Sequence, residues 1–583
     1  MVGRHQDRAS CLPCALSMPR ALPWARLRSS LGGTGESVEF RIDRRRLLAG
    51  VAALGAVWPS RGGGGLVVPT SSGAFRGRAC GGVTRWLGIP YASAPVGELR
   101  FAAPRPVRPA RTIVEADRFG PASLQTIASV VSWIYPPLSP EEQSEDCLTL
   151  NVWAANRDEA LPVIVWLHGG GYRTGATRMP LMDGHALASH GCVVVTVNYR
   201  LGALGLLSHP DFTDAFNSTS ANWSLQDMGA ALAWVRLNIA AFGGDPMKIC
   251  VVGQSGGAQH AAVLAQSPLY WPLLRSVVLL SPPSVRVPQA PTMEDAAAYT
   301  ELLATGLGTT VKGLRKLPAR VVHAAELALS AKPLPPSFTS GFLYRIAILN
   351  DNRSCMGEWT QRDWPADVPV LITFTHDEGA FFLDLYDPIS GRMLTPSLPG
   401  SDAALVSAVR SAVGGSAQVA ATVIDAYRCA ALAEGRSSAP GDLWIDIFAD
   451  PMRYRGTRYA AVLAAAGVQV RYGTHMHAVK APGRGVPHCA ELPLLFGTQT
   501  LDYYRDKIGG GPVEAELSDR LMRSLISFAR DAQPQLACGA PWPLYQPGTA
   551  TCVRWGGRGS SNEVLGPVPK VSQLTVWDGI LGA

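Results

Sequence analysis

The stretch VVGQSGGAQH, residues 251–260, places Ser255 between Gly253 and Gly257, directly after a short apolar run. A buried strand that ends in Gly-x-Ser-x-Gly and continues as a helix turns sharply at the serine, which lifts its hydroxyl out of the sheet. Only small residues fit on either side of such a turn, and the helix dipole favours negative charge developing at its start. The stretch therefore predicts a nucleophilic serine at a strand end, with a plain Gly/Ser turn as the alternative.

Strand-like and helix-like patterns alternate on both sides of this stretch. Short strands fill 65–92, and the apolar runs typical of buried strands are 161–172, 191–200, 247–255, 273–283, 368–379 and 468–476. Helical patterns cover 224–246, start again at 256 and recur in the Ala-rich stretch 290–350. Apolar runs separated by helices predict βα crossovers and a mainly parallel sheet. We predict one large α/β domain whose last sheet strand is 468–476.

The first 61 residues differ in composition from the rest of the chain. They hold ten arginines, no lysine and four acidic residues, so most of the net charge of +7 lies there. Within them, RIDRRRLLAGVAALGAVWPS (41–60) joins arginines to an apolar run, the pattern of an export signal, and its paired arginines resemble a twin-arginine signal. We expect a leader, 1–61, absent from a mature periplasmic or extracellular body, 62–583; a cytoplasmic protein is the alternative.

The composition of the body excludes several classes of function. A nearly neutral body has no basic surface for nucleic acid, and no apolar run reaches the roughly 18–20 residues that cross a bilayer. The cysteines outside the leader show no paired metal spacing. We therefore expect a small-molecule substrate, no nucleic-acid partner, no stable membrane insertion, and a reaction that needs neither metal nor cofactor.

A serine nucleophile needs donors for the oxyanion that forms when it attacks. The motif HGGGY, residues 168–172, follows a strand-like run, and its glycines let backbone N–H groups approach a substrate oxygen. This pattern is typical of lipase and esterase oxyanion holes, where it acts with the amide that follows the nucleophile, here Gly256. A phosphate-binding loop is less consistent because no lysine follows at P-loop spacing.

The serine also needs a base and an acid that orients the base, and both are expected later in the chain. The candidates are His475, His477 and His488 for the base, and Asp377 and Glu378 for the acid. His488 lies in GVPHCAELPLLFG, a loop before an apolar segment, whereas the other two histidines end a strand and compete on spacing alone. Spacing does not choose between the two acids in THDEG.

Longer motifs resemble the carboxylesterase type-B (cholinesterase-like) family of the α/β-hydrolase superfamily, bacterial branch, over about residues 65–556. They are WLGIPYASAPVGELRF, SEDCLTLNVW, VIVWLHGGGY, NYRLGALGLL, NWSLQDMGAALAWVRLNIAAFGGDP, GQSGGA, FTHDEGAFF, GVPHCAELPLLFG and FARDAQPQLACGAPWPLY, in family order. The resemblance implies an α/β-hydrolase fold: a large, mostly parallel sheet flanked by helices, with a β-rich N-terminal part and helical insertions around an active-site gorge.

The resemblance also implies a serine carboxylic-ester hydrolase that forms an acyl-enzyme intermediate. Its implied residues are the triad Ser255, Glu378 (ahead of Asp377) and His488, and the oxyanion amides of Gly170, Gly171 and Gly256. The same triad would also serve an amide, carbamate or thioester hydrolase. A non-catalytic binding protein on this scaffold is less consistent, because the serine and the histidine are both present.

The chain departs from the family pattern beside the serine. Gln254 and Gly256 stand where the family usually has Glu and Ala, and the loss of that negative charge puts a preference for cationic substrates in doubt. The cysteine that usually pairs with the position of Cys147 resembles Ser123 here, so we expect Cys147 to lack that disulfide.

The resemblance further implies two structural ion pairs, Arg100 with Glu145 and Arg200 with Asp227. Several aromatic side chains could line an apolar substrate pocket, which would suit esters of small to medium apolar or aromatic acids or alcohols, although ordinary packing explains each of them individually better. They are Trp133, Tyr135, Tyr172, Trp271, Phe381 and Phe382.

Overall fold

The structure is a computed structural model of the chain. It describes residues 66–126, 133–155, 159–213, 218–283, 292–331, 348–349, 351, 355, 364–382, 398–480, 485–557 and 559–581. All of these residues lie in one compact unit, Gly62–Ala583. The expected leader, 1–61, lies outside the described residues, and its role in export stays a prediction.

The elements of the described residues follow the alternation expected from the sequence. The strands are β1 (Val67–Thr70), β2 (Gly73–Arg76), β3 (Arg78–Cys80), β4 (Val83–Pro90), β5 (Ile113–Glu115), β6 (Thr149–Ala154), β7 (Leu161–Leu167), β8 (Val193–Val197), β9 (Gly244–Gln254), β10 (Ser276–Leu280), β11 (Val370–Thr375), β12 (Val470–His475), β13 (Thr551–Gly557) and β14 (Ser560–Pro567). The helices are α1 (His185–Ser189), α2 (Gly202–Leu206), α3 (Trp223–Asn238), α4 (Gly256–Gln266), α5 (Met293–Gly306), α6 (Ala319–Ser330), α7 (Asp402–Val413), α8 (Ala417–Ala433), α9 (Pro440–Ala465), α10 (Leu492–Leu495), α11 (Asp502–Ile508), α12 (Pro512–Asp531), α13 (Val571–Leu574) and α14 (Asp578–Leu581).

A large mixed sheet organises the body. Its strand order is β14-β13-β12-β11-β10-β9-β7-β8-β6-β4-β3, and a small second sheet has the order β1-β2-β5. Seven neighbouring strands of this order, from β13 to β8 and including β7, pair in parallel. The strand β14 at one edge, and β6, β4 and β3 at the other, pair antiparallel. The predicted mainly parallel sheet is confirmed. Side chains that follow β9, β11 and β12 therefore emerge at one edge, where α/β proteins bind ligands.

Two sequence predictions about element bounds were wrong. We expected the sheet to end at 468–476, but β13 pairs with β12 and β14 with β13. Four of the seven residues of β13 are only partly buried, so it lacks the continuous apolar run of a central strand. The helix expected over 224–246 is α-helical only to Asn238 and tightens into a 3-10 turn, Ile239–Phe242, which Gly243 ends with φ 89°; Gly244 already pairs with β7.

Apolar side chains pack on both faces of the sheet in two large clusters, and a third, smaller cluster joins α7, α8 and α9 to the segment around Trp577. Strands β8 and β10 are buried along their whole length, as expected of parallel strands covered on both faces. No helix of the described residues is long and apolar enough to cross a membrane.

The interactions implied by the resemblance are present within this core. Arg100 binds both carboxylate oxygens of Glu145, at 2.6 and 2.7 Å, and Arg200 binds both oxygens of Asp227, at 2.8 and 2.7 Å. Cys147 is buried and forms no disulfide, as expected.

Candidate active site

Ser255 occupies the turn between β9 and α4. Its backbone has φ 53° and ψ −124°, a conformation that residues other than glycine rarely adopt. The turn is held by a 2.9 Å hydrogen bond from the Ser255 N–H to the Leu280 carbonyl and by the Gln259 N–H, which donates to the Ser255 carbonyl. The strained serine predicted from Gly-x-Ser-x-Gly is thus present, at the edge where the parallel strands end.

The glycines beside this turn are required by close packing. A Cβ atom on Gly253 would lie 2.3 Å from the Gly257 carbonyl oxygen, and one on Gly257 would lie 2.2 Å from the carbonyl oxygen of Leu167. A Cβ atom on Gly169 would lie 3.0 Å from Cβ of Ser255. The loop that follows β7 therefore lies directly against the serine.

That loop curves through three successive residues in the left-handed region: Gly170, Gly171 and Tyr172, with φ 118°, 59° and 64°. A Cβ atom on Gly256 would lie 3.5 Å from the Gly171 nitrogen and 3.4 Å from the Tyr172 nitrogen, so these amides are neighbours. The structure thus brings Gly171 and Gly256 together beside Ser255. Gly170 directly precedes Gly171 in the chain. This is the arrangement in which backbone N–H groups can bind an oxyanion.

An ion pair and an aromatic stack hold the loop in place. Both terminal nitrogens of Arg173 donate to the carboxylate of Glu326 on α6, each at 2.7 Å, and the Glu326 side chain is fully buried. The His168 ring stacks on Tyr199 at a centroid distance of 4.3 Å, and the Tyr199 hydroxyl donates to the His168 carbonyl. The sequence analysis missed the Arg173–Glu326 pair, because no local pattern links two residues so far apart in the chain.

His488 and Glu378 form the acid–base pair of the site. Nδ1 of His488 lies 2.5 Å from Oε2 of Glu378, and both side chains are buried. The other Glu378 oxygen accepts hydrogen bonds from the Ser281 hydroxyl at 2.6 Å and the Thr375 N–H at 2.7 Å. Burial alone would raise the pKa of Glu378, but His488 and these hydrogen bonds outweigh it and hold that pKa below its ordinary value. The carboxylate thus stays ionised against the imidazole.

The other candidates for the acid and the base lie elsewhere. Asp377 contacts other groups: it accepts hydrogen bonds from the Val486 N–H and from Lys570, and it lies 2.7 Å from Nδ1 of His376. His477 contacts Glu514 at 3.1 Å, and His475 is buried with no hydrogen-bond partner in the described part of the chain. Burial lowers the pKa of His475 to about 3. The geometry therefore brings Glu378 and His488 together and leaves the alternatives out.

Gln254 contacts the second nitrogen of His488. Its side-chain Nε2 lies 2.9 Å from Nε2 of His488 and 3.1 Å from Sγ of Cys489. On the other side of the ring, the ionised Glu378 carboxylate can only accept a hydrogen bond, so Nδ1 of His488 carries the proton between them. This is the tautomer that a general base requires, because Nε2 is then the nitrogen that can accept a proton. The sequence analysis identified Gln254 as a departure but not this contact.

Four of the aromatic candidates lie near this machinery. Phe381 and Phe382 pack on the His488 ring at centroid distances of 5.3 and 5.7 Å, and Trp133 packs on Phe381 at 6.2 Å. The Tyr172 hydroxyl donates to the Gln259 side chain. These aromatic rings give the site an apolar wall.

Trp271 does not join them, because it follows the far end of α4. That helix has eleven residues, so it carries the chain about 16 Å away from Ser255. Trp271 packs instead against the apolar cluster around β9 and α4. Tyr135 is buried as well, at 2% exposure. Among the described residues, no group of three or more His, Cys, Asp or Glu side chains is placed to hold a metal ion.

Comparisons with known proteins agree with this architecture. The sequence model of the carboxylesterase family matches residues 65–562. The chain is 31% identical over 493 residues to para-nitrobenzyl esterase of Bacillus subtilis (strain 168), covering 82% of this chain and 92% of that protein. It is 29% identical over 524 residues to fumonisin B1 esterase of Sphingopyxis macrogoltabida, covering 86% and 89%.

A solved structure extends the likeness to three dimensions. The crystal structure of the Geobacillus stearothermophilus carboxylesterase EST55 at pH 6.2 is similar with a TM-score of 0.73 and 29% sequence identity. The match covers 88% of this chain and 100% of that one. The shared architecture is the α/β-hydrolase fold that the sequence predicts.

Proposed function

Because the chain belongs to the carboxylesterase family, we propose that it hydrolyses carboxylic esters with Ser255 as nucleophile, His488 as general base and Glu378 as the acid that orients His488. The observation that carries this proposal is the 2.5 Å contact between Glu378 and Nδ1 of His488, at the sheet edge where the strained Ser255 ends β9. The pair leaves Nε2 of His488 as the nitrogen that accepts a proton.

In the first half of the reaction, the Ser255 hydroxyl replaces the Gln254 amide at Nε2 of His488 and gives it a proton while Oγ attacks the ester carbonyl carbon. Glu378 stabilises the resulting imidazolium. The amides of Gly170, Gly171 and Gly256 bind the oxyanion, at roughly 3–4 kcal/mol per donor at most. The tetrahedral intermediate then collapses, the C–O bond breaks, and the leaving alcohol takes the proton from His488.

In the second half, water attacks the acyl-enzyme. His488 takes a proton from the water and returns it to Ser255 Oγ as the carboxylic acid leaves. Amides, carbamates and thioesters pass through the same steps, so the triad by itself does not separate these substrates from esters.

The surroundings of His488 favour apolar esters. Phe381, Phe382 and Trp133 present aromatic rings beside the base, and Gln254 adds no charge at the nucleophile. The name of the Bacillus subtilis relative, para-nitrobenzyl esterase, denotes an ester with an aromatic group. We propose esters of small to medium apolar or aromatic acids or alcohols as substrates.

The test is hydrolysis of p-nitrophenyl esters from acetate to decanoate, with a matched anilide, by wild type, Ser255→Ala and Ser189→Ala. Ser189 is an exposed serine on α1, so its replacement should leave activity unchanged. Ser255→Ala should lower kcat by roughly 10⁴–10⁶ and abolish labelling by a fluorophosphonate. Most activity remaining in Ser255→Ala would refute the assignment. A folded wild type that neither turns over nor is labelled would favour the non-catalytic alternative.

We also propose that residues 1–61 direct export and are then removed. The support is the sequence pattern alone: paired arginines, Arg44 and Arg45, before an apolar run. N-terminal sequencing of the protein from its natural host tests this. A natural N-terminus well inside the leader, in protein retained in the cytoplasm, would overturn the proposal.

A further inference from the structure

A C-terminal tail, residues 568–581, follows the part of the chain that matches the family, which ends at residue 562. The tail packs on the helices beside the sheet: the Trp577 indole donates to the Tyr427 hydroxyl on α8 at 2.8 Å, and the Tyr454 hydroxyl on α9 donates to Asp578 at 2.8 Å. Trp577 is buried in the small cluster formed by these helices. The tail is thus anchored on both helices.

Lys570, near the start of this tail, has a buried side chain and a buried ammonium group. Its side chain is only 1% exposed, and its backbone holds the left-handed conformation, φ 59°, that a lysine adopts only under constraint. The ammonium contacts the His376 carbonyl at 2.9 Å, a carboxylate oxygen of Asp377 at 3.1 Å and one of Asp446 at 2.5 Å. An ammonium has three N–H donors, so all three are used.

These contacts lie on the turn that delivers the triad acid. His376 and Asp377 directly precede Glu378, and the other oxygen of Asp377 accepts the Val486 N–H at 3.0 Å, two residues before His488. Asp377 therefore joins the turn of the acid to the loop of the base. Burial would raise the pKa of Asp377, but Lys570, followed by the His376 ring and the Val486 N–H, outweighs it and keeps that pKa well below its ordinary value. Lys570 is thus the cation that faces this bridging carboxylate.

A second cation reaches the same turn from the sheet side. Arg453 on α9 donates to the carbonyls of Thr375 and His376, at 2.9 and 2.7 Å, and to Asp450 at 2.8 Å. Arg453 has its own carboxylate partner, and Asp446 also accepts a hydrogen bond from Arg436 at 2.8 Å, whereas Asp377 contacts Lys570 and the His376 ring. Without Lys570 the half-buried Asp377 would face Asp446 without the cation that joins them, and like charges so close repel.

We propose that Lys570 is a positioning residue for the reaction: it holds the turn of Glu378 against the loop of His488 and so fixes the carboxylate–imidazole geometry. The inference rests on the triad proposed above. Lys570 makes no contact with substrate, so its loss should act on the chemical step. A misplacement of about 1 Å at reacting groups costs on the order of 100-fold in rate.

The test compares Lys570→Met and Lys570→Arg with a matched control, Tyr454→Phe, which removes the tail's hydrogen bond to Asp578 without touching the turn. Each variant is assayed for kcat and KM on a p-nitrophenyl ester, per active site titrated with a fluorophosphonate, and for its thermal unfolding. Lys570→Met should lower kcat roughly 10- to 100-fold with KM within about twofold of wild type. Tyr454→Phe should keep the wild-type kcat.

Lys570→Arg keeps the positive charge between Asp377 and Asp446 but cannot place three N–H groups on the same acceptors. It should fold like wild type and lower kcat less than Lys570→Met does. If Lys570→Met fails to fold, the kcat of Lys570→Arg still tests the positioning role. A wild-type kcat in either Lys570 variant, or an equal loss in Tyr454→Phe, would overturn the inference. Because Ser255→Ala is assayed beside them, a failure of the triad itself shows separately as retained activity in that variant.

Discussion

The side-chain amide of Gln254 lies 2.9 Å from Nε2 of His488, the nitrogen that must accept the proton of Ser255. A neutral amide in this position adds no charge beside the nucleophile, whereas a carboxylate there would add a negative one. The residue before the nucleophile therefore helps decide which substrate charge the site favours.

Gln254→Glu should raise kcat/KM on a choline ester relative to its neutral 3,3-dimethylbutyl analogue by roughly fivefold, because the site gains a negative charge and a close pair of opposite charges in water is worth about 1 kcal/mol. Steady-state kinetics with both esters measure this ratio for the variant and the wild type. An unchanged ratio would mean that a charge at position 254 does not act on the substrate.

Glu378→Gln should lower kcat by roughly 10³–10⁴ with little change in KM, because a neutral amide cannot stabilise the imidazolium that forms during attack. Steady-state kinetics on p-nitrophenyl acetate measure this effect. Glu294→Gln, an exposed change on α5, is the control and should behave as wild type. A loss of less than tenfold in Glu378→Gln would point to another residue as the acid.

Gly256→Ala and Gly257→Ala should differ sharply although the two residues are neighbours. A Cβ atom on Gly256 meets its nearest atoms at 3.4 Å, so alanine should fit, keep the amide in place, and stabilise the protein by about 0.4–1 kcal/mol. On Gly257 it would lie 2.2 Å from a backbone carbonyl oxygen, so that variant should lose activity and at least roughly 1–3 kcal/mol of stability. Urea unfolding and ester hydrolysis test the pair; equal behaviour would contradict this packing.

Glu491 should make stability fall as pH rises. Neither of its carboxyl oxygens has a hydrogen-bond partner within the described residues, and burial, with the nearby charge of Glu378, raises its pKa to about 8. The folded state therefore keeps a proton that the unfolded chain loses above about pH 4.3, and folding loses about 1.4 kcal/mol per pH unit until about pH 8.

Glu491→Gln removes the carboxyl group that makes stability fall with pH. The variant's free energy of unfolding should therefore exceed that of wild type by an amount that grows between pH 5 and 8 and then levels off. Urea midpoints at pH 5, 7 and 9 for both proteins measure the difference. Parallel curves for the two proteins would show that Glu491 titrates normally.

The sequence predicts those parts of the site that depend on motifs of a few neighbouring residues. The turn at Ser255 and the curve of Gly170 and Gly171 each depend on glycines a few positions apart, and the structure has both. The choice between Asp377 and Glu378 needed three dimensions, because adjacent residues on a turn point in different directions and spacing carries no such information. Only the family resemblance favoured Glu378 beforehand.

The contacts that hold the loops of the site in place also could not be predicted from short stretches of sequence. Glu326 and Lys570 act on loops more than 150 residues away in the chain, and no periodicity or motif marks either residue. Strand β13 escaped prediction because several of its residues are only partly buried, so it lacks the continuous apolar run that marks a central strand. Trp271 was placed in the pocket by residue type alone, and the length of α4 carries it away.

The contact between Glu378 and His488 joins residues 110 positions apart, and Ser255 lies farther still from both. Contacts between residues so far apart form slowly, because the chain loses the entropy of closing a long loop before it gains the energy of the contact. Helices such as α4 and α12 need no partner so distant. In refolding from denaturant, recovery of esterase turnover should therefore lag behind the far-ultraviolet helix signal, which would make turnover a reporter of the last assembly step.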